Sequence, residues 1–374
     1  MPTCSASAST ARRATSCPGN SFAVRGAHPY ARRVQIREVD IHDDDQFRQF
    51  FCIMRGAETF ERPEAAFWSE RECAVMFRHQ EPGEQWWSYA AFDDANDAVM
   101  IGIGSVVLTL HDNVDKAFLG VEVAPELRGR GVGSAVLSFL EDKAREAGRT
   151  VLLTESHVPF ATRDNHRYRQ FAEKRGYSLA NVEVRRRLRL PVPDEQLQAW
   201  ADEAAPHHAG YHIQTFVDDV PDELLESYCY LSNQLAIDAP TGEIDFEAES
   251  MTPDKFRIRM QKVKEQGRTM YETLALDDDG QVVAQSTLAV PADDPTTVFQ
   301  WGTVVRKDHR GHRLGLATKL ANLRTVQEAH PERERILTTN SEDNANMVGI
   351  NVLMGFEPIE LLAEFQRKLP SGAH

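Results

Sequence analysis

Cysteine is scarce in this sequence, and long apolar runs are absent from it. The 374 residues include five cysteines, an odd number, and no two of them stand in CxxC spacing. This pattern excludes a disulfide framework and a cysteine-based zinc site, and it favours a reducing compartment such as the cytoplasm. Uncharged stretches such as residues 98–110 are shorter than the roughly 20 residues that a membrane helix needs. We therefore expect a soluble, cytoplasmic protein without a membrane partner.

Basic residues are also in deficit. Lys and Arg number 42 against 57 Asp and Glu, which gives a net charge of −15. Such a field repels phosphate backbones and argues against a general nucleic-acid binder, so an anionic partner would need a local basic pocket. Residues 1–37 are the exception because they contain no acid. We interpret residues 1–33 as a disordered basic tail, although their composition overlaps that of a transit peptide.

The rest of the sequence repeats itself. Each half opens with an alternating strand and a helix, passes through a hairpin, and reaches a short strand that runs into a basic glycine-containing loop and a helix. Arg128 lies 182 residues before Arg310, and Gly176 lies 179 before Gly355. This near-constant offset indicates an internal duplication. We predict domains at 34–190 and 211–374, joined by a Pro- and Ala-rich linker at 191–210.

The first glycine-containing loop could bind a pyrophosphate. Glycines at 129, 131 and 133 would bare the backbone N–H groups at a helix start, and Arg128 and Arg130 could contact outer phosphates. The alternative is a plain turn that caps a helix. The loop lacks the Lys-Ser/Thr ending of a triphosphatase loop and the glycine spacing of a dinucleotide fold.

These motifs resemble the GNAT superfamily of N-acetyltransferases in its tandem, actinobacterial form. Residues 128–133 match the signature Arg/Gln-x-x-Gly-x-Gly/Ala, and Asn165 and Asn344 each precede a Gly-aromatic pair by eleven residues. The resemblance covers residues 34–369. It implies an α/β (α+β) fold of two tandem GNAT-like domains, each a mixed twisted sheet flanked by helices. It also implies an acyl-CoA co-substrate, usually acetyl-CoA, and a primary amine as acceptor.

The resemblance assigns CoA-binding residues in both halves. In the first half they are Val121, Val123, Arg128, Gly129, Arg130, Gly131, Val132, Gly133, Ser134 and Asn165. In the second half they are Val305, Arg310, Gly311, His312, Arg313, Leu314, Gly315 and Asn344. Arg313 replaces the middle glycine of the signature, so it either reaches a phosphate or marks a loop that no longer holds CoA.

The catalytic groups are less evident. The family's usual Tyr, four residues before the final Gly, is replaced by Ala172 and Asn351, and neither can act as a general acid. Glu122 is the candidate base of the first half, although strand alternation could equally point it to solvent or into a salt bridge. Glu272 or the acidic residues at 243–249 could serve the second half, unless they form a solvated face. The histidines show no metal-ligand spacing, and we expect no metal.

The most economical interpretation is an acyltransferase that moves an acetyl or other acyl group from acyl-CoA to an amine of a small molecule. An alternative is aminoacyl transfer from charged tRNA, for which the basic run at 185–189 and the basic tail could form a local patch, although the same run could guard an edge strand. A third is a non-catalytic acyl-CoA-binding protein. The sequence leaves the catalytic half, the acceptor and the oligomeric state open.

Overall fold

The computed structural model describes residues 34–370, except Pro82, 239–240 and 248–249. The predicted tail at 1–33 lies outside the described residues. The elements of the first half are β1 (Gln35–Glu38), α1 (Asp44–Thr59), α2 (Glu70–Arg78), β2 (Glu84–Asp93), β3 (Asn96–Thr109), β4 (Lys116–Val123), α3 (Val132–Glu146), β5 (Val151–Pro159), α4 (Arg167–Glu173) and β6 (Ser178–Arg189).

The second half repeats this order after a connecting helix. Its elements are α5 (Asp194–Ala204), β7 (His212–Val217), α6 (Asp222–Asp238), α7 (Pro253–Glu265), β8 (Arg268–Leu276), β9 (Val282–Pro291), β10 (Thr297–Val305), α8 (Leu314–Ala329), β11 (Arg335–Ser341), α9 (Ala345–Leu353) and β12 (Glu357–Lys368). A strand and a helix open each half, as the sequence predicts.

Local signals explain where the first helices begin. The Asp43 side chain accepts from the amides of Asp45 and Gln46 at the start of α1. Ser69 and Glu72 form a reciprocal capping box at the start of α2. Such caps satisfy the first-turn N–H groups that have no partner inside the helix.

Helices cover both faces of the sheet in each half. Alternate residues of a strand point to opposite faces: Tyr89 and Ala91 pack in the core under α3, whereas Ala90 and Phe92 pack in the core under α1 and α2. In the second half α8 takes the position of α3, and α6 and α7 take those of α1 and α2. The prediction of two tandem domains, each a mixed sheet flanked by helices, is confirmed.

The two halves exchange their last strands. The twelve described strands form one sheet in the order β1-β2-β3-β4-β5-β12-β6-β11-β10-β9-β8-β7. Strand β12 of the second half lies between β5 and β6, and β6 of the first half lies between β12 and β11, with all three pairings antiparallel. Each half therefore completes its sheet with a strand from the other.

The predicted linker is largely helical and packs on the second half. Leu197, Trp200 and Ala204 of α5 are buried in the core that contains Leu320 and Leu323 of α8. The apolar spacing of α5 gives this helix a buried face. The residue limits predicted for the two domains remain predictions. Within the described residues, no helix has the length and apolar character needed to cross a bilayer.

Candidate functional site

A gap opens between β4 and β5 in the first half. The two strands pair in parallel over Lys116–Phe118 and Val151–Leu153, and no register between them continues beyond that point in the described part of the chain. The facing edges of residues 119–123 and 154–159 thus keep backbone N–H and C=O groups available to a ligand.

The loop between β4 and α3 presents bare backbone beside this gap. Gly129 and Gly131 have φ angles of +76° and +88°, which residues with a side chain rarely adopt, and a Cβ on either would meet no atom within 4 Å. Gly131 is also the N-cap of α3. The first-turn amides of a helix have no intrahelical partner and attract anions. The loop can therefore hold a pyrophosphate.

The guanidinium of Arg128 turns inward and fastens this loop to α1 and α4. It donates to the carbonyl oxygens of Val123 and Ala57, each at 3.2 Å, and to the Tyr168 hydroxyl at 2.9 Å. Arg130 donates to the carbonyl oxygen of Glu126 at 3.2 Å. In this structure both side chains position the loop, and their contacts to outer phosphates remain predictions.

Sequence reasoning missed two residues at this site. The guanidinium of Arg175 lies 3.6 Å from the centre of the Phe171 ring and donates to the Ser134 hydroxyl in the first turn of α3. Tyr168 lines the cavity beside the glycine loop and donates to the Ala57 carbonyl oxygen at 3.4 Å. The signature ends at Gly133, so neither residue falls within it. The position of Arg175 directly before the Gly-aromatic pair was the available signal.

The loop and the gap open into one cavity of about 560 Å³. Glu58, Glu122 and Glu155 line it together with the glycine loop. Of the predicted CoA-binding residues of this half, the lining includes Val121, Val123, Arg128, Gly129, Gly131, Val132, Gly133 and Ser134. Arg130 and Asn165 lie outside that lining.

Glu122 lies at the acidic end of this cavity. It follows Val121 on β4 and is partly buried. Burial and the nearby charge of Glu58 raise the pKa of Glu122 to about 8. A carboxyl group with a pKa near the operating pH can accept a proton from an incoming group and release it again.

Behind Glu122, a buried ion-pair cluster joins α1 to β12. Arg62 forms two hydrogen bonds of 2.8 Å to the Glu360 carboxylate and one of 2.6 Å to Glu58. Burial opposes ionisation of Glu58, but hydrogen bonds from His157 and Arg62 and their charges outweigh it and lower its pKa. Glu58 therefore stays charged beside Glu122. The strand that supplies Glu360 belongs to the second half.

The corresponding cleft of the second half measures about 730 Å³ and is built around the second loop. Val305, Arg310, Gly311, Arg313, Leu314, Gly315 and Asn344 line it. Arg313 caps α8 with a φ angle of +53° and forms an ion pair of 2.6 Å with Glu203. His312 contacts the carbonyl oxygen of His207 at 3.1 Å. The connecting segment thus holds two side chains of the second loop.

Neither residue at the position of the missing Tyr can act as a general acid. Ala172 is buried in the first core. Asn351 is fully buried and binds Lys319 at 2.9 Å and Asn340 at 3.0 Å. Among the described residues, no group of three or more His, Cys, Asp and Glu side chains could hold a metal ion.

The basic run at 185–189 lies on β6, inside the sheet. Interpreting it as a guarded edge strand is wrong, because β6 pairs with β12 on one side and β11 on the other. Arg185 lies 3.5 Å from Glu360, Arg186 pairs with Glu342, and Arg187 pairs with Glu64 and Glu357. These ion pairs use the charges that an anionic ligand would need.

Comparison with known proteins assigns the fold. The model of the acetyltransferase (GNAT) family matches residues 47–177, which run from the first turn of α1 past α4 and include the glycine loop. This stretch of the first half is therefore similar to the GNAT family. A search of curated protein sequences finds no match for the chain.

Solved structures extend the GNAT fold to both halves. A tandem GNAT protein from the clavulanic acid biosynthesis pathway is 23% identical, with 91% of this chain and 100% of that chain covered and a TM-score of 0.73. A GCN5-related N-acetyltransferase from Sphaerobacter thermophilus is 14% identical, with 91% and 97% covered and a TM-score of 0.60. At these identities the likeness concerns the fold.

Proposed function

We propose that the protein transfers an acyl group, in the first instance acetyl, from acyl-CoA to an amine of a small molecule. The proposal places the reaction in the first half. One observation carries it: a single cavity joins the bare glycine loop, the unpaired edge of β4 and the Glu122 carboxyl group. These are the three parts that phosphate binding, thioester placement and proton removal require.

The chain's own groups have distinct parts in this reaction. The amides at Gly129 to Gly133 would bind the pyrophosphate, and the β4 edge at Val121 and Val123 would align the pantetheine arm beside Glu122. The amine nitrogen forms a bond to the acyl carbon while the C–S bond breaks. Glu122 takes the proton that the nitrogen loses, and the CoA thiolate leaves and takes a proton from water.

The tRNA-dependent alternative loses its main support. Arg185, Arg186 and Arg187 are engaged in ion pairs inside the sheet, and the net charge is −15. With these three guanidinium groups paired, the run at 185–187 offers a polyanion little electrostatic attraction. A small anionic group held in the glycine loop fits the charge distribution better.

The donor site can be tested by placing a glutamate in the loop. We expect Gly129→Glu to weaken acetyl-CoA binding at least tenfold, because bulk and negative charge enter the space open beside this backbone. Isothermal titration calorimetry measures the dissociation constant and the stoichiometry. Gly148→Glu is the matched control, since Gly148 also has a positive φ and open space but follows the far end of α3.

A third variant tests which half of the chain binds acetyl-CoA. Gly311 in the second loop has a φ angle of +90° and, like Gly129, open space around its Cβ position. If Gly311→Glu weakened binding while Gly129→Glu did not, the donor site would lie in the second half and our assignment would be wrong. Thermal unfolding of all three variants separates lost binding from lost folding.

A further inference from the structure

The two halves enclose a second cavity of about 440 Å³ that is separate from the first. Its floor and walls come from α6, α7 and strands β8 to β10 of the second half. Its rim comes from the ends of β2 and β3 in the first half. The rim residues are Glu81, Gly83, Glu84, Thr109, His111 and Asp112.

Glu272 stands at the floor of this cavity with 2% of its surface exposed. The Thr287 hydroxyl donates to its carboxylate at 2.6 Å, and the Tyr228 hydroxyl also bonds to it. Within the described ranges, Glu272 forms no salt bridge. Burial raises its pKa to about 7, although both hydrogen bonds and the charge of Arg259 act in the opposite direction. A buried carboxylate without a direct ion pair is unfavourable, and a cationic ligand that pairs with it can offset this cost.

The duplication shows that the fold does not need this carboxylate. In the sheet, Glu272 of β8 lies opposite Thr287 of β9, and Thr287 lies opposite Gly302 of β10. These three residues form one row across the strands. The same row in the first half is Ser88, Ser105 and Gly120. Ser88 therefore occupies the position of Glu272, and the sheet of the first half forms there without a charged side chain. The carboxylate is an addition of the second half.

The remaining surface of this cavity combines apolar walls with an acidic rim. Phe256, Ile258, Met260 and Trp301 line it, and Ile258 and Trp301 are 47% and 37% exposed. Lys255 donates to the carbonyl oxygen of Ser250, and the Arg259 guanidinium lies 5.8 Å from the centre of the Trp301 ring. At the rim, Glu81 already pairs with Lys262 at 3.1 Å. The Glu272 carboxylate at the floor can attract a cation, and the aromatic walls suit an apolar body.

We propose that this cavity binds a small molecule with one ammonium group on an apolar, aromatic-sized body, with the ammonium paired to Glu272. The inference does not depend on the reaction proposed for the first half. The cavity ends at Gly302, where β10 carries a bulge, and the second cleft begins at Thr303. The bound amine therefore lies beside the second loop's cleft.

Fluorine NMR can observe this site selectively. The chain has five tryptophans, so protein labelled with 5-fluorotryptophan should show five resonances, and loss of one in Trp301→Phe assigns Trp301. We expect 2-phenylethylamine to shift that resonance with a dissociation constant at least tenfold lower than that of the neutral 2-phenylethanol. Glu272→Gln should remove this preference, because the amide keeps the shape of the side chain and lacks its charge.

The same spectra show whether each variant is folded. Trp87 and Trp200 pack against the two cores, and their resonances should be unchanged in Glu272→Gln. If that variant fails to fold, Thr287→Val removes a hydrogen bond from the carboxylate and should reduce the preference for the amine. Equal affinity for amine and alcohol, or an amine preference that persists in the folded Glu272→Gln protein, would overturn the proposal.

Discussion

The Glu122→Gln variant is expected to lose about 100-fold or more in kcat/KM for acyl transfer. The amide fills the same space and cannot take the proton from the attacking amine. A spectrophotometric assay of released CoA thiol measures the rate. Acetyl-CoA affinity should stay close to that of the wild type, since binding rests on the loop amides and the β4 edge.

The pH dependence of the rate distinguishes a base from a structural group. Because burial raises the pKa of Glu122 to about 8, the wild-type kcat/KM should increase as the pH rises through 8 and Glu122 ionises. This limb should be absent in Glu122→Gln. Glu155→Gln tests the other carboxyl group of this cavity, because burial raises the pKa of Glu155 to about 7. If Glu122 is the base, the limb near pH 8 should persist in this variant.

Stability should change with pH in the opposite sense. Because the pKa of Glu122 is raised from 4.5 to about 8 in the folded protein, its contribution to stability is fully present below pH 4.5 and is lost as the pH rises from there through 8. Glu122→Gln should therefore have a higher Tm than the wild type at pH 9. If the variant kept full activity, Glu122 would not be the base. If the wild type bound acetyl-CoA but neither it nor Glu122→Gln released CoA with any amine of a broad panel, the protein would be a non-catalytic binder.

Arg62→Ala is expected to lower the free energy of unfolding by about 3–5 kcal/mol. The Arg62 and Glu360 side chains are 3% and 1% exposed, so the variant leaves a buried carboxylate without its cation. Urea unfolding followed by circular dichroism measures the loss. Arg167→Ala is the matched control, because its ion pair with Glu61 is about half exposed on each side and such pairs contribute about 0–1 kcal/mol.

A double variant separates charge from packing. Arg62→Met combined with Glu360→Leu removes both charges and keeps most of the volume, so it should recover a large part of the stability that Arg62→Ala loses. A loss below 1 kcal/mol in Arg62→Ala would contradict a buried, mutually dependent pair. Arg185, which lies 3.5 Å from Glu360, should then be the stronger partner.

Features encoded by neighbouring residues were predictable from the sequence. The loop at 128–133 needs glycines at positive φ, and this requirement shows directly as a spacing in the chain. The duplication showed as a constant offset. Glu122 was found because it precedes the loop on a strand, although strand alternation alone could not decide which face it occupies.

Features that depend on long-range register were not predictable. The exchange of β6 and β12 depends on which strands pair, and single-strand patterns do not encode that choice. Arg62 and Glu360 are 298 residues apart. The ion pairs of Arg185 to Arg187 follow from the same exchange, so a basic run could be interpreted as an edge or a patch. The sequence suggested Glu272 as a possible base of the second half. Its place opposite Thr287 depends on the register of β8 and β9, which the sequence does not show.

The exchanged strands also set the order in which a ribosome can complete this protein. When residues 34–190 have emerged, the position between β5 and β6 has no strand to fill it, because that strand is β12. Arg62 and Arg185 must wait for Glu360, which is made 298 residues after Arg62. A truncation that removes β12 would therefore damage the first half's cavity, although the missing residues belong to the second.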